Sequence, residues 1–266
     1  MSDSSSPVVY DLTEGVATIR LDRPEAMNSL DLATKELLRD TVREAAEDPA
    51  ARCVVLTGTG RAFCTGQDLK EHVELLQSGS SEELFTTVAR HYNPTVAALA
   101  AMEKPVIAAV NGVAAGAGAS LAFACDVRVL ADTAGFNLAF ANVALSCDTG
   151  SSWTLQRLVG PARALDLLYF PRTVGAEEAL ELGLASRVVP AAELDGVVGE
   201  LAARLAAGPT VAYASIRRSV AYAAAHDLED SLAFEETMMD RTGATADHRA
   251  AVDAFLAKQR PVFEGR

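Results

Sequence analysis

KPVIAAVNGVAAGAGASLAFACDVRVLADTAGFNLAFANVALSCDTGSSWTLQRLVG, residues 104–160, is the stretch from which the rest of the chain can be read. Val106–Val110 is wholly apolar and bounded by Pro105 and the Asn111-Gly112 turn, as a strand buried on both faces would be. Gly116–Ala124 begins a helix made almost entirely of small residues, and Val127–Ala131 is a further apolar strand. Strand, helix and strand in this succession imply a parallel sheet with right-handed crossovers. A polar loop at Asp148 then leads into another helix.

Upstream, Val8–Leu12 and Val16–Leu21 alternate around Glu14-Gly15 and predict a hairpin. Asp31–Glu47 places Leu32, Leu37, Leu38, Val42 and Ala45 at helical spacing, with Asp31 as the expected N-cap. Cys53–Thr57 is another short apolar strand, followed by GTGRAFCTGQDL at 58–69. Glycines in a loop directly after a buried strand make either a plain turn or a place where backbone amides approach a ligand. Helical pattern returns over Ser81–Met102, with a break or kink at Asn93-Pro94. Downstream, helices are predicted at 151–158, 161–169, 176–182, 190–206, 210–225, 228–241 and 246–258. One sheet cannot cover all their Ala/Leu faces, so subunit contact is expected.

Composition narrows the function. The chain has 266 residues, half of them hydrophobic but only 6% aromatic, enough for a sizeable core of Ala, Val and Leu. No run approaches the ~18 apolar residues that would span a bilayer. MSDSSSP lacks the basic and apolar regions of a signal peptide, so no membrane association and a cytoplasmic location are expected. Four scattered cysteines and four scattered histidines suggest neither a disulfide framework nor a metal site. A net charge of −13 argues against nucleic acid, and an anionic ligand would need locally held cations. Gly116-Ala117-Gly118 invites comparison with a dinucleotide fingerprint, but its third glycine would fall on Leu121, too large for that helix–strand approach.

RAFCTGQDL (61–69), KPVIAAVNGVAAGAGASLAFACD (104–126) and LQRLVGPARALDLLYFPRTVGAEEALELGLASRVVP (155–190), in this order, resemble the crotonase family of enoyl-CoA hydratases and isomerases. The resemblance covers essentially the whole chain. It implies an α/β fold, a crotonase-like spiral of ββα units over 1–195, with a C-terminal helical region over 196–266 used in trimerisation. It further implies an acyl-CoA thioester as substrate, coenzyme A as part of that substrate with no other cofactor, and a homotrimer or dimer of trimers.

The family stabilises an enolate formed from the thioester. Its two oxyanion-binding amides would be those of Gln67 and, following Gly116, Ala117. The two glutamates with which its hydratases add water fall on Ser120 and Phe140, neither of which can carry a proton as a carboxylate does. The resemblance instead singles out Asp148, as in isomerases of the phenylacetate pathway and in 4-chlorobenzoyl-CoA dehalogenase. Without the resemblance, Asp148 reads equally well as the N-cap of the following helix. The dehalogenases carry Trp at Phe140 and a histidine base at Asn93, so their chemistry is disfavoured, and Asn93 is expected to line the acyl pocket. Lys70 and Lys258 match nucleotide-contacting lysines. Met27, Asn28, Ala62, Cys64, Asp68 and Leu69 fall in the stretches that shape the coenzyme A groove. The expected reaction is isomerisation with Asp148 as proton shuttle. The alternatives are a hydratase in which Asp148 positions water, and a non-catalytic acyl-CoA binder. A segment at His72–Phe85 is expected to be mobile and to shape the acyl pocket.

Overall fold

The computed structural model describes residues 6–78 and 81–266, the side chains of 81–83 apart; the polar N-terminal leader and the middle of the 72–85 segment lie outside the described residues. Its strands are β1 (Val8–Thr13), β2 (Val16–Leu21), β3 (Cys53–Gly58), β4 (Ala62–Cys64), β5 (Val106–Val110), β6 (Val113–Ala115), β7 (Val127–Ala131), β8 (Gly135–Asn137), β9 (Thr173–Gly175) and β10 (Arg187–Val189). They form two sheets. The larger runs β1-β2-β3-β5-β7-β10 and is parallel from β2 onward; the smaller runs β4-β6-β8-β9. β3, β5 and β7 each hand the chain within a few residues to β4, β6 and β8 in the second sheet, and helices follow. This is the expected spiral of ββα units.

The helices are α1 (Leu32–Glu47), α2 (Leu69–Gln77), α3 (Ser81–Thr87), α4 (Asn93–Ala101), α5 (Ala117–Phe123), α6 (Ser151–Val159), α7 (Pro161–Tyr169), α8 (Ala176–Glu181), α9 (Leu194–Ala206), α10 (Thr210–Ala223), α11 (Leu228–Gly243) and α12 (Ala246–Leu256). Asp31 caps α1 as expected, its carboxylate accepting the Thr34 N–H at 2.9 Å. The far end of α1 is held by Lys104, whose buried ammonium donates to the carbonyls of Ala45 and Asp48 at 2.9 and 2.8 Å. The expected break near Pro94 is a turn of π-helix, Val88–Tyr92. Proline supplies no N–H to the carbonyl four residues back. That carbonyl, of Arg90, accepts from Arg39 of α1 at 3.3 Å instead.

The structure adds detail at two places. The 72–85 segment begins as helix, since α2 extends to Gln77. A boundary at 195/196 cuts through α9, whose Leu194, Val198, Ala202 and Ala206 are buried against β3, β5 and β7. α9 therefore belongs with the core, because its apolar stripe covers one face of the large sheet. The helices that leave the sheet are α10–α12. Arg217 ties α10 back through the carbonyls of Met102 and Leu99 and the carboxylate of Asp126. Ile216, Val220, Leu228, Met239 and Phe255 remain exposed on this region. No helix of the described residues is long and apolar enough to cross a membrane.

Candidate active site

After β4 the chain passes Thr65-Gly66-Gln67, bridged on one side to Leu30. The Leu30 N–H donates to the Gly66 carbonyl at 2.7 Å, and the Asp68 N–H donates to the Leu30 carbonyl at 3.2 Å. In a parallel bridge the residue between those two groups directs its own N–H to the opposite side, so the Gln67 amide faces away from Leu30. Ala117 is the first residue of α5, so no helical carbonyl lies one turn behind its N–H. The two loops meet closely. A Cβ on Gly66 would stand 3.2 Å from the Ala117 nitrogen and 2.8 Å from the Ala115 carbonyl oxygen, and Gly66 has φ of 80°. Only glycine permits that approach.

Gly118, one residue into α5, lies under the same loop. A Cβ there would fall 2.1 Å from the Cys64 carbonyl oxygen, which as backbone cannot swing aside. Gly118→Ala is therefore expected to cost roughly 1–3 kcal/mol of stability through overpacking. A melting temperature equal to that of the wild type would show that α5 and β4 are not so tightly apposed.

Asp148 is half-buried where the chain turns into α6. Thr149 (φ 54°) and Gly150 (φ 78°) are both left-handed, and a Cβ on Gly150 would sit 3.2 Å from Val96 of α4. The turn is fixed through the main-chain carbonyl of Asp148, which accepts from the Ser151 N–H at 3.0 Å and the Ser151 hydroxyl at 2.9 Å. Its carboxylate accepts from the Thr149 hydroxyl at 2.8 Å. The N-cap of α6 is Gly150, with no side chain capping the helix. The carboxylate is thus not engaged as the helix cap that its position in the sequence suggests. Burial raises the Asp148 pKa above the ordinary carboxylate value, offset in part by the Thr149 hydroxyl and its own N–H.

Ser120 and Phe140 surround these groups. Phe140 is nearly buried and its ring edge would meet a Cβ on Gly116 at 3.9 Å. Ser120, placed by sequence among residues touching substrate, is fully buried. Its oxygen lies 3.0 Å from the Gly116 carbonyl oxygen, and its one proton is shared between that carbonyl and the Ser151 hydroxyl, whose own proton goes to the Asp148 carbonyl. These two hydroxyls join the N-terminus of α5 to the Asp148 turn. Ser120→Ala leaves the buried Ser151 hydroxyl one partner short, and is expected to cost about 1 kcal/mol in denaturant unfolding. An unchanged unfolding midpoint would remove Ser120 from the scaffold of the turn.

Several residues assigned to the coenzyme groove also hold loops. Asn28 is fully buried: its carboxamide oxygen accepts from the Arg23 N–H at 2.9 Å, while its nitrogen donates to the Thr59 and Ala62 carbonyls at 3.0 and 2.7 Å. Asp68 caps α2 through the Lys70 and Glu71 amides and also binds Ser29 and Arg23, which hold its carboxyl below the ordinary range despite partial burial. The side chains of Ala62 and Cys64 are buried, and burial pushes the Cys64 thiol up to about 12. Met27 is half-buried, while Leu69 and Lys70 are exposed on the first turn of α2. Lys258 is exposed just past α12. Asn93 is also exposed. It is the neighbouring Tyr92 that turns inward, its hydroxyl donating to the Gln67 carboxamide oxygen at 2.5 Å. Burial, then the charge of Asp148, raises the Tyr92 pKa well above its usual value. Sequence reasoning passed over Tyr92, Ser151 and Lys35. Only Lys35 left a signal, a cation within the apolar stripe Leu38, Val42 and Ala45 of α1.

Comparison with known proteins identifies the family. The enoyl-CoA hydratase/isomerase family profile matches residues 11–266. A Rhodobacter capsulatus protein named "Probable enoyl-CoA hydratase" is 41% identical over 259 residues, 97% of each chain. The 1,2-epoxyphenylacetyl-CoA isomerase of Escherichia coli is 39% identical over 259 residues, 97% of this chain and 98% of that one. A solved enoyl-CoA hydratase structure from Bacillus anthracis superposes with a TM-score of 0.92 at 32% identity, covering 98% of this chain and all of the other. The chain belongs to the crotonase family of enoyl-CoA hydratases and isomerases. It is an enzyme of that family.

Proposed function

We propose that this chain isomerises an acyl-CoA thioester, with Asp148 carrying the proton and the amides of Gln67 and Ala117 holding the enolate oxygen. The observation that carries this reading is the state of Asp148. Among the described carboxylates with a clearly displaced pKa, it alone is displaced upward, and no helix amide occupies it. A base with a pKa lifted towards neutrality takes a carbon-bound proton more readily and can return it. Asp148 removes a proton from one carbon of the acyl chain, and the electron pair flows into the thioester carbonyl. The protonated carboxyl then delivers its proton to a second carbon on the same face as the double bond moves. With Ser120 and Phe140 where hydratases keep glutamates, no second carboxylate stands ready to split a water molecule between base and acid. The reaction draws on neither metal nor nicotinamide, coenzyme A being part of the substrate.

The coenzyme's phosphates require cations in an acidic protein, and Lys70, at the start of α2, is the candidate within one chain. Lys258 would serve the site of a neighbouring subunit in a trimer or dimer of trimers, which the exposed apolar residues of α10–α12 favour. Sedimentation should then give a mass three or six times the 27.9 kDa of one chain; a monomer would contradict this assembly.

The deciding experiment incubates enoyl-, dienoyl- and aryl-CoA thioesters in deuterated water. An isomerase places deuterium on carbon and moves the double bond. Net addition of water without migration would favour a hydratase in which Asp148 orients the water, and binding without deuterium uptake would favour a non-catalytic acyl-CoA binder.

A further inference from the structure

Gln67 enters the proposed site through its amide, yet its side chain is held at both ends by groups that the reaction does not use. Its carboxamide oxygen accepts from the Tyr92 hydroxyl at 2.5 Å and from the Lys35 ammonium at 3.4 Å. Its carboxamide nitrogen donates to Glu71 at 3.0 Å, and the same Glu71 oxygen pairs with Lys35 at 2.9 Å. The Lys35 side chain is only 3% exposed. Burying a cation costs free energy that an ion pair need not return in full, so such a pair is weak evidence for a role in stability alone. These groups come from three separate elements: α1, α2 and the π turn that carries Tyr92.

We propose that Lys35, Glu71 and Tyr92 are positioning residues that clamp the Gln67 side chain and thereby aim the Gln67 N–H at the thioester oxygen. The Leu30 bridge fixes one backbone edge of this residue and the clamp fixes its side chain, leaving the opposite edge with the N–H free. The planar carboxamide has no free rotation while oxygen and nitrogen are both engaged. A donor acts on an oxyanion only when it already points at it, because reorganisation during the reaction erodes its effect. The inference rests on the oxyanion reading of Gln67 and Ala117.

The test reads the carbonyl directly. Bound cinnamoyl-CoA should absorb at longer wavelength than the free thioester in wild type, because donors at the carbonyl oxygen polarise the conjugated chain. In Tyr92→Phe and Gln67→Ala, both of which keep the Gln67 amide, most of that displacement should vanish. With an α-proton-bearing acyl-CoA, exchange in deuterated water should slow roughly ten- to a hundredfold. The dissociation constant of cinnamoyl-CoA should change by less than about threefold, since uniform binding is untouched. Lys35→Met should behave alike, and Lys35→Arg should restore part of the displacement. Should Lys35→Met fail to fold, the Tyr92 and Gln67 variants still decide. Variants that bind cinnamoyl-CoA with the full wild-type spectrum and exchange protons at the wild-type rate would overturn the proposal. A wild type that binds the probe with no spectral change would instead overturn the oxyanion reading beneath it.

Discussion

Asp148→Asn is expected to lower turnover on an isomerisable acyl-CoA about 10²- to 10⁴-fold, the usual contribution of a positioned acid–base group. Acyl-CoA should still bind, because asparagine keeps the shape and can accept the Thr149 hydroxyl. The same substitution should stabilise the protein at neutral pH. The Asp148 pKa is raised by burial. The folded state therefore favours the protonated form, and stability falls as pH rises through the raised pKa. Asparagine carries no such penalty. Its melting temperature should exceed that of wild type at pH 7, and the gap should close as pH drops below the ordinary carboxylate range. Turnover by wild type should move the opposite way, falling as the base protonates. Near-normal turnover in the variant would remove Asp148 from the mechanism, and a gap that does not depend on pH would show that its charge is not the source of the penalty.

Ala117→Pro is expected to cost about 10²- to 10³-fold in kcat, the effect of deleting one oxyanion donor. A backbone donor is rarely accessible to mutation, but this one stands at the first position of a helix. There proline is tolerated, since its fixed φ suits the helix and its missing N–H breaks no helical bond. Folding should survive, as judged by circular dichroism and an intact oligomer. A folded variant with full kcat would dissociate Ala117 from the chemistry.

The long features of this fold were legible. The hairpin, α1 with its Asp31 cap, and β3, β5 and β7 follow from extended periodic or apolar runs whose pattern leaves one solution. The second sheet was not. β4, β6, β8 and β9 have three residues each, too few to carry a period, and their pairing is set by the larger sheet that delivers them. Asp148 could be singled out only through family resemblance. Whether it caps α6 turns on the left-handed φ of Thr149 and Gly150, which a β-branched residue hides. The inward turn of Tyr92 left no signal in the sequence. A π turn inserts an extra residue into the helical count, and it rotates the inward face by one position just ahead of Pro94.

The contact between Gly150 and Val96 has a bearing on how this enzyme can change over evolutionary time. The turn that carries Asp148 rests on α4, the helix that Tyr92 immediately precedes. A lineage that trims or enlarges Val96 moves the floor beneath Asp148. Substitutions at Val96 should therefore be accompanied by compensating changes in the 148–151 turn, while a change at Val96 alone should disturb that turn.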